Sequence, residues 1–435
     1  MHSQSELQVD LRQMILALET AVDLVGMNDT HHGKRVGYIA SQIGHKLGFS
    51  DQDIHFAFEF GLLHDCGVST HQMHNSLVNH FDWEDADLHC QIGHHLLQGF
   101  EPLNRFAIPV LYHHTPWEEL KNLSLSPQEK RMANLIFLAD RIDVMSAAHY
   151  GKDILHTKGE IVRSIVSYSG SYFDPEMVEA FQKSEAAESF WIALEGHHIT
   201  RYTWDMGRFE SKKLLTIHQL KQFSLILSYI VDQKSPFTAQ HSTLVGRLGH
   251  YLANRYGLLE DQCDKIEIAG FLHDIGKLRI PDHILDKPGA LTEFERSIMN
   301  QHSYETFEIL RHIDGLEEIP HWAAFHHEGI NGTGYPFHPA ERDLSIEARI
   351  IAVADVFQAL VQDRPYRAGM KIDQVMAILD EFVEGGKVDP SIVEIIRKDQ
   401  QHCFQIARGE VGENPFDSIP NFDEVLQQKE QLKSP

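Results

Sequence analysis

The sequence predicts an all-α protein made of two tandem helical domains related by duplication. Three observations carry that expectation. Apolar residues recur with a helical period, strand signals are scarce, and one ordered set of His and Asp residues occurs twice. The helical period is clear in residues 11–25 (LRQMILALETAVDLV), 51–65 (DQDIHFAFEFGLLHD) and 346–361 (IEARIIAVADVFQALV). Thr292 to Glu295 reads as a capping box opening the segment that carries His302, and Ser50 to Asp53 is a weaker version of the same start signal. Pro281 and Pro288-Gly289 mark the loop that follows His273-Asp274.

The duplication is read by sliding the halves against each other. Asp23 matches Asp232, His32 matches His241, and His64-Asp65 matches His273-Asp274, each 209 residues on. His89 matches His302 and His113-His114 matches His326-His327 at 213; Asp140 matches Asp355 and Asp174-Pro175 matches Asp389-Pro390 at 215. So small a drift means short loop insertions within one helical framework. The expected layout is a first domain over residues 1–200, a linker over 201–214, a second domain over 215–406 and a polar tail over 407–435.

Composition narrows the class. A chain of 435 residues can form two domains of about 200 residues, each with its own core. Apolar residues at 42% and charged residues at 23% are ordinary for a globular protein, whereas 30 histidines are not. The apolar stretch Phe223 to Val231 is far shorter than the roughly 18 to 20 residues that span a bilayer, so no membrane span is expected. The N-terminal MHSQSELQVDLRQ lacks a basic region followed by an apolar one, so the expected setting is cytoplasmic. Cys66, Cys90, Cys263 and Cys403 show no paired spacing and read as buried small hydrophobes in a reducing compartment. A net charge of −25 repels duplex nucleic acid. An anionic substrate would therefore need a locally positive pocket, which metal ions can supply.

In the second copy the chemistry-bearing set is His241, His273, Asp274, His302, His326, His327 and Asp355. Seven ligands exceed what one hydrolytic ion takes while leaving room for water, so the set suits two ions sharing a carboxylate, with Asp274 the best bridge. Imidazole and carboxylate without thiolate suit Fe, Mn or Zn rather than a cysteine-zinc site. Two cations would neutralise the charge of a phosphodiester and bring the pKa of a bound water toward about 7.

HDIGK at 273–277, His302, HHEGINGTGYP at 326–336, DVFQAL at 355–360 and RPYR at 364–367 occur in this order. Over roughly residues 215–405 the chain resembles the HD-GYP domains, a branch of the HD superfamily of metal-dependent phosphohydrolases. The resemblance implies an all-helical fold and a bi- or trinuclear centre, often of iron or manganese, that hydrolyses c-di-GMP or, in some relatives, 3'3'-cGAMP. It implies that His241, His273, Asp274 and Asp355 hold one ion, and Asp274, His302, His326 and His327 the other. Lys277 would then meet a phosphate oxygen, with Asp274 and Lys277 the catalytic pair. Tyr335, Arg364 and Arg367 would line the substrate pocket.

The sequence departs from the family pattern in places. Phe237 stands where trinuclear members carry Glu, so two divalent ions, Fe or Mn, are expected. Gly329 and Asn331 replace Arg and Asp in the GYP loop, and Gln358 replaces the Asp of DVFDAL, which leaves loop contacts and base selectivity open. The first copy keeps a formal ligand set of His32, His64, Asp65, His89, His113, His114 and Asp140. It has Val68 in place of the lysine, HHTPWEELK in place of the HHE and GYP run, and His149 in place of the first arginine. It resembles a degenerate HD domain with a regulatory or packing role, the alternative being an independent hydrolase, for instance of a linear product.

The expected function is therefore metal-dependent cleavage of 3'3'-cGAMP or c-di-GMP to a linear 5'-phosphorylated dinucleotide. The tandem arrangement, with no obvious response-regulator domain, resembles the 3'3'-cGAMP-cleaving relatives. An HD hydrolase of another nucleotide, or a signalling module that binds a cyclic dinucleotide without cutting it, are the alternatives. The sequence leaves open a homodimer or a signalling partner protein.

Overall fold

The computed structural model describes residues 8–26, 31–71, 73–74, 86–207, 212–235, 240–363 and 368–411. These residues form helices joined by short loops, with one two-stranded antiparallel ribbon that pairs Val9 with Leu215 and Asp10 with Leu214. The chain divides into two compact units, Leu18–Lys213 and Met1–Ala17 with Leu214–Pro435. The second unit is thus discontinuous. This differs from the expected division, because residues 8–17 belong with the second copy: the ribbon holds them there, and the Gln13 amide pairs with Asp314 through its Nε2 and Oε1, both at 3.0 Å. The expected linker is also helical over much of its length. Gly196–Gly207 forms a helix, buried through Ile199 and Thr203, whose short apolar face sequence periodicity did not resolve.

Each unit is built on a pair of closely crossing helices. In the first unit these are His32–Lys46 and Asp51–Leu63; in the second they are His241–Tyr256 and Glu260–Leu272. Glycines set the approach. A Cβ on Gly61 would lie 2.3 Å from the Gly37 nitrogen, and one on Gly270 would lie 2.5 Å from the Gly246 Cα, so neither helix tolerates a side chain at its crossing. A long helix, Pro127–Ser146 or Ile346–Val361, packs across each pair and brings in the last candidate ligand.

The predicted start signals are present. Ser50 accepts from Asp53 N, and Thr292 with Glu295 forms a reciprocal capping box. That box opens a helix ending at Met299, and His302 rides on a second helix, Gln301–Leu310. Asp174-Pro175 and Asp389-Pro390 are equivalent helix starts, each Asp accepting from the backbone N–H two residues on. All four cysteines are buried, and none forms a disulfide. No helix among the described residues is long and apolar enough to cross a membrane.

Candidate metal centres

In the second unit the seven sequence-predicted residues converge. His273 ends the helix Glu260–Leu272, and the chain turns at Asp274 into a short 3-10 helix, Ile275–Arg279. Thr306 locks that turn, its hydroxyl accepting from Gly276 N at 3.1 Å and donating to the His273 carbonyl at 2.9 Å. Gly276 is required, since a Cβ there would sit 2.0 Å from the His302 carbonyl oxygen. His241 begins its helix after Gln240, which takes a left-handed φ of 90°. Asp232 steadies this entry by accepting from the Ser242 hydroxyl at 2.7 Å and from its N–H at 3.1 Å.

Asp274 lies between two groups of nitrogens. Its Oδ2 is 3.5 Å from His241 Nε2 and 3.2 Å from His273 Nε2, while its Oδ1 is 3.5 Å from His302 Nε2 and 3.7 Å from His326 Nε2. Asp355 Oδ1 closes the first group, 3.2 Å from His241 Nε2 and 3.9 Å from His273 Nε2. His327 belongs with His302 and His326. The two clusters, His241/His273/Asp355 and His302/His326/His327, therefore share Asp274 as a common wall.

The imidazoles are aimed by their outer nitrogens. Nδ1 of His273, His302 and His326 donates to the carbonyls of Gly270, Met299 and Ala323 at 2.7, 2.6 and 2.6 Å, which leaves each Nε2 as a lone pair turned inward. His302 Nε2 and His326 Nε2 are then two acceptors 3.2 Å apart, an arrangement that repels unless a cation lies between them. His273 Nε2 and Asp274 Oδ1 are buried atoms that make no hydrogen bond. Unsatisfied lone pairs of this kind suit a divalent ion, so the residues fit the metal centre that the fold implies.

The electrostatics agree. Burial, reinforced by His327, lowers His302 to about 3, and burial lowers His327 to about 4, keeping both neutral as ligands must be. Burial alone would raise Asp274, but His273 and Lys277 outweigh it and hold the carboxyl well below its usual range. Burial opposes charge on His241 too, yet its bonds to Asp274 and Asp355 win and lift it to about 10. In the metal-free state that proton does the work of a cation.

Lys277 reaches back to pair with Asp274 Oδ2. Tyr335 lies beside the second cluster, its ring centroid 4.8 Å from that of His327 and 6.4 Å from that of His302. The loop carrying Tyr335 is held from beneath by Glu328, whose buried carboxylate accepts from Phe337 N at 2.6 Å and His338 N at 3.1 Å. Two of the departures from the family pattern are structural here. Asn331 donates to the Gly385 carbonyl at 2.6 Å and accepts from Thr333 N at 2.9 Å, and a Cβ on Gly329 would lie only 2.8 Å from the Asn331 side-chain oxygen. Arg364, Arg367 and Phe237 lie outside the described residues.

The first unit repeats the ligand geometry. Asp65 Oδ2 is 3.7 Å from His32 Nε2 and 3.4 Å from His64 Nε2, its Oδ1 is 3.5 Å from His89 Nε2 and 3.9 Å from His113 Nε2, and Asp140 Oδ1 is 3.4 Å from His32 Nε2. His114 joins Asp65, His89 and His113 in one group. His32, Asp65, His114, Asp140 and Arg141 line a small cleft. The differences lie in the surroundings. Val68 is buried where Lys277 stands, and His149 bonds Asp153 at 2.8 Å. His89 Nδ1 makes no hydrogen bond, whereas its counterpart His302 has the Met299 carbonyl.

Sequence reasoning missed three residues that matter here. Arg141 grips Asp140 Oδ2 through Nε at 3.1 Å and Nη2 at 2.8 Å, so the first site carries a buried cation after all, on a different carboxylate. Arg35 and Asp143 form a buried pair beside His32, with Nε to Oδ1 at 2.6 Å. Arg141 was visible only as the neighbour of a candidate ligand, and adjacent helical residues do not ordinarily face one another.

Two matches to the HD domain family cover residues 226–392 and 30–145. The chain is similar to a 3'3'-cGAMP-specific phosphodiesterase of Vibrio cholerae, 36% identical over 417 residues, which span 94% of this chain and 96% of that one. It is also similar to a cyclic di-GMP phosphodiesterase of Thermotoga maritima, 36% identical over 191 residues, covering 43% of this chain and 52% of the other. A solved structure of a cyclic GMP-AMP specific phosphodiesterase of V. cholerae shares the fold, with a TM-score of 0.60 at 24% identity, covering 93% of this chain and 99% of that one. Two HD matches, a shared centre in each half and a relative that aligns from end to end together place the protein: it belongs to the HD superfamily, among the tandem HD and HD-GYP cyclic dinucleotide phosphodiesterases.

Proposed function

We propose that this protein hydrolyses a bacterial cyclic dinucleotide, 3'3'-cGAMP or c-di-GMP, to a linear 5'-phosphorylated dinucleotide, and that the second unit is where it does so. The observation that carries this reading is the placement of Lys277 and Tyr335 on the second centre, against Val68 at the matching position of the first. The names of the relatives from V. cholerae and T. maritima support the substrate class, and near end-to-end similarity to the first favours 3'3'-cGAMP.

His241, His273, Asp274 and Asp355 would hold one divalent ion, and Asp274, His302, His326 and His327 a second, iron or manganese by the chemistry of the donors. Such ions, when bound, offset phosphate charge and acidify a water at neutral pH. The chain's own groups do the rest. Lys277, already within reach of Asp274, would turn its ammonium to a non-bridging phosphate oxygen and meet charge that grows as the phosphorus is attacked. Tyr335 is neutral, because burial and the nearby Asp355 and Asp274 raise its phenol, so it can donate to the substrate or stack on a base. Thr306 and Glu328 hold the turn and the loop that aim these two side chains. Arg364 and Arg367 are the expected further contacts.

The first unit would bind metal without cutting, serving a regulatory or packing role, because Arg141 occupies Asp140 and no lysine stands behind Asp65. The test is to incubate protein loaded with Fe(II) or Mn(II) under reducing conditions with 3'3'-cGAMP and with c-di-GMP, and to separate the products by chromatography. A linear dinucleotide is expected; both substrates surviving intact with either metal would sink the proposal.

A further inference from the structure

The two copies aim the first histidine of the centre by different means. In the first unit His32 Nδ1 lies 2.8 Å from Asp143 Oδ2, and Asp143 is itself held by Arg35, Nε at 2.6 Å and Nη2 at 3.1 Å, and by the Tyr150 hydroxyl at 2.5 Å. In the second unit the position of Asp143 is Gln358 and that of Arg35 is Leu244. His241 Nδ1 lies 2.5 Å from Gln358 Oε1, and the Gln358 amide nitrogen faces the Ala407 carbonyl at 3.4 Å. Both Gln358 and Leu244 are buried. An anion and its cation have been exchanged together for two neutral residues, which avoids leaving either charge alone in the interior.

The amide orientation follows from its partners. A carbonyl only accepts, so the nitrogen must face Ala407 and the oxygen must face His241, which makes His241 Nδ1 the donor and turns Nε2 to the centre. We infer that Gln358 is the positioning residue for His241, fixing its tautomer with a neutral acceptor where the first copy uses a carboxylate–arginine pair. This rests on reading His241 as a metal ligand. A carboxylate behind an imidazole makes it a stronger donor to a cation, whereas an amide orients the ring and leaves more of the ion's charge for an anionic substrate.

The test is the binding of Mn(II) to the metal-stripped full chain, followed through the free-ion EPR signal with no nucleotide present, so it is independent of whether the protein cleaves anything. Gln358→Leu keeps the volume and removes the acceptor; Gln358→Glu keeps an acceptor of the same length. Q358L should weaken one class of Mn(II) sites by roughly 10- to 100-fold while its metal-free thermal melt stays close to that of the parent. Q358E should restore binding to the parent level or tighter. In turnover, Q358L should regain kcat as Mn(II) is raised, with KM for the nucleotide unchanged. Parent-like Mn(II) binding by Q358L, or equal loss in Q358L and Q358E, would overturn the inference, the second outcome assigning Gln358 to packing.

Discussion

The two units hold sets of candidate ligands at closely matching distances in different electrical surroundings. His89 and His113 face each other through Nε2 at 3.2 Å, as do His302 and His326. The bridging candidates, Asp65 and Asp274, stand at matching distances from matching histidines. Around them the first unit keeps buried ion pairs, Lys34 with Glu19 and Arg35 with Asp143, where the second has Ser228 beside Thr243, and Leu244 and Gln358 at the matching positions of the other pair. The cation paired with a candidate ligand carboxylate also differs, being buried Arg141 on Asp140 in one and half-buried Lys277 on Asp274 in the other. A ligand set alone thus says where metal can sit. The side chains just behind it decide what an ion there is free to do.

The comparison can be broken most directly at the bridging carboxylates. Asp274→Ala should reduce turnover of the cyclic dinucleotide by well over ~100-fold, the upper range for loss of mere outer-shell partners, while Asp65→Ala should leave it within about twofold. Chromatographic product assays check both, and equal losses would make the first unit a partner in the reaction.

A pH experiment probes the second unit next. Burial raises the Asp232 carboxyl to about 7, with neighbouring Asp274 adding to the rise, against an ordinary value of 3.8. The folded state therefore keeps a proton that the unfolded chain releases between those values, so this group's contribution falls as pH rises through the window and levels off above 7. In metal-stripped protein, denaturant titrations should show Asp232→Asn gaining on the parent across that range, by up to about 4 kcal/mol. A constant difference at all pH values would refute this.

The shared framework predicts equal effects at the turns. Gly276→Ala and Gly67→Ala would place a Cβ 2.0 and 2.1 Å from the carbonyl oxygens of His302 and His89, and each should cost about 1–3 kcal/mol in unfolding free energy. A large inequality would show that the two turns are not equivalent. The smallest expected effect sharpens the contrast instead. Arg141→Val, which installs the residue found at the matching position 356, frees Asp140 Oδ2 and should tighten Mn(II) binding in the first unit by about tenfold, or 1.4 kcal/mol, measured by titration of the metal-stripped chain.

Much of this was readable in the residues themselves. Histidines and aspartates recurring in order, with only small changes of offset, single out both candidate ligand sets because metal chemistry admits few residue types. The capping box at Thr292 is equally local, and it forms as expected. What escaped notice depends on three-dimensional approach. Arg141 folds back onto its neighbour Asp140, Asn331 reaches across 54 residues to the Gly385 carbonyl, and Gln358 is meaningful only once His241 lies against it. The grouping of residues 8–17 with the second unit was hidden for the same reason, since a two-residue strand has no periodicity to detect.

That small ribbon bears on how the protein is made. One of its strands is synthesised some two hundred residues before the other, so the second unit cannot close until Leu214 and Leu215 have left the ribosome, by which time all of 18–213 is already available to fold. A fragment begun at Leu214 would lack Val9, Asp10 and the glutamine that seats on Asp314. A single chain holding the whole second unit therefore needs residues 8–17 joined to it by a new connection in place of 18–213.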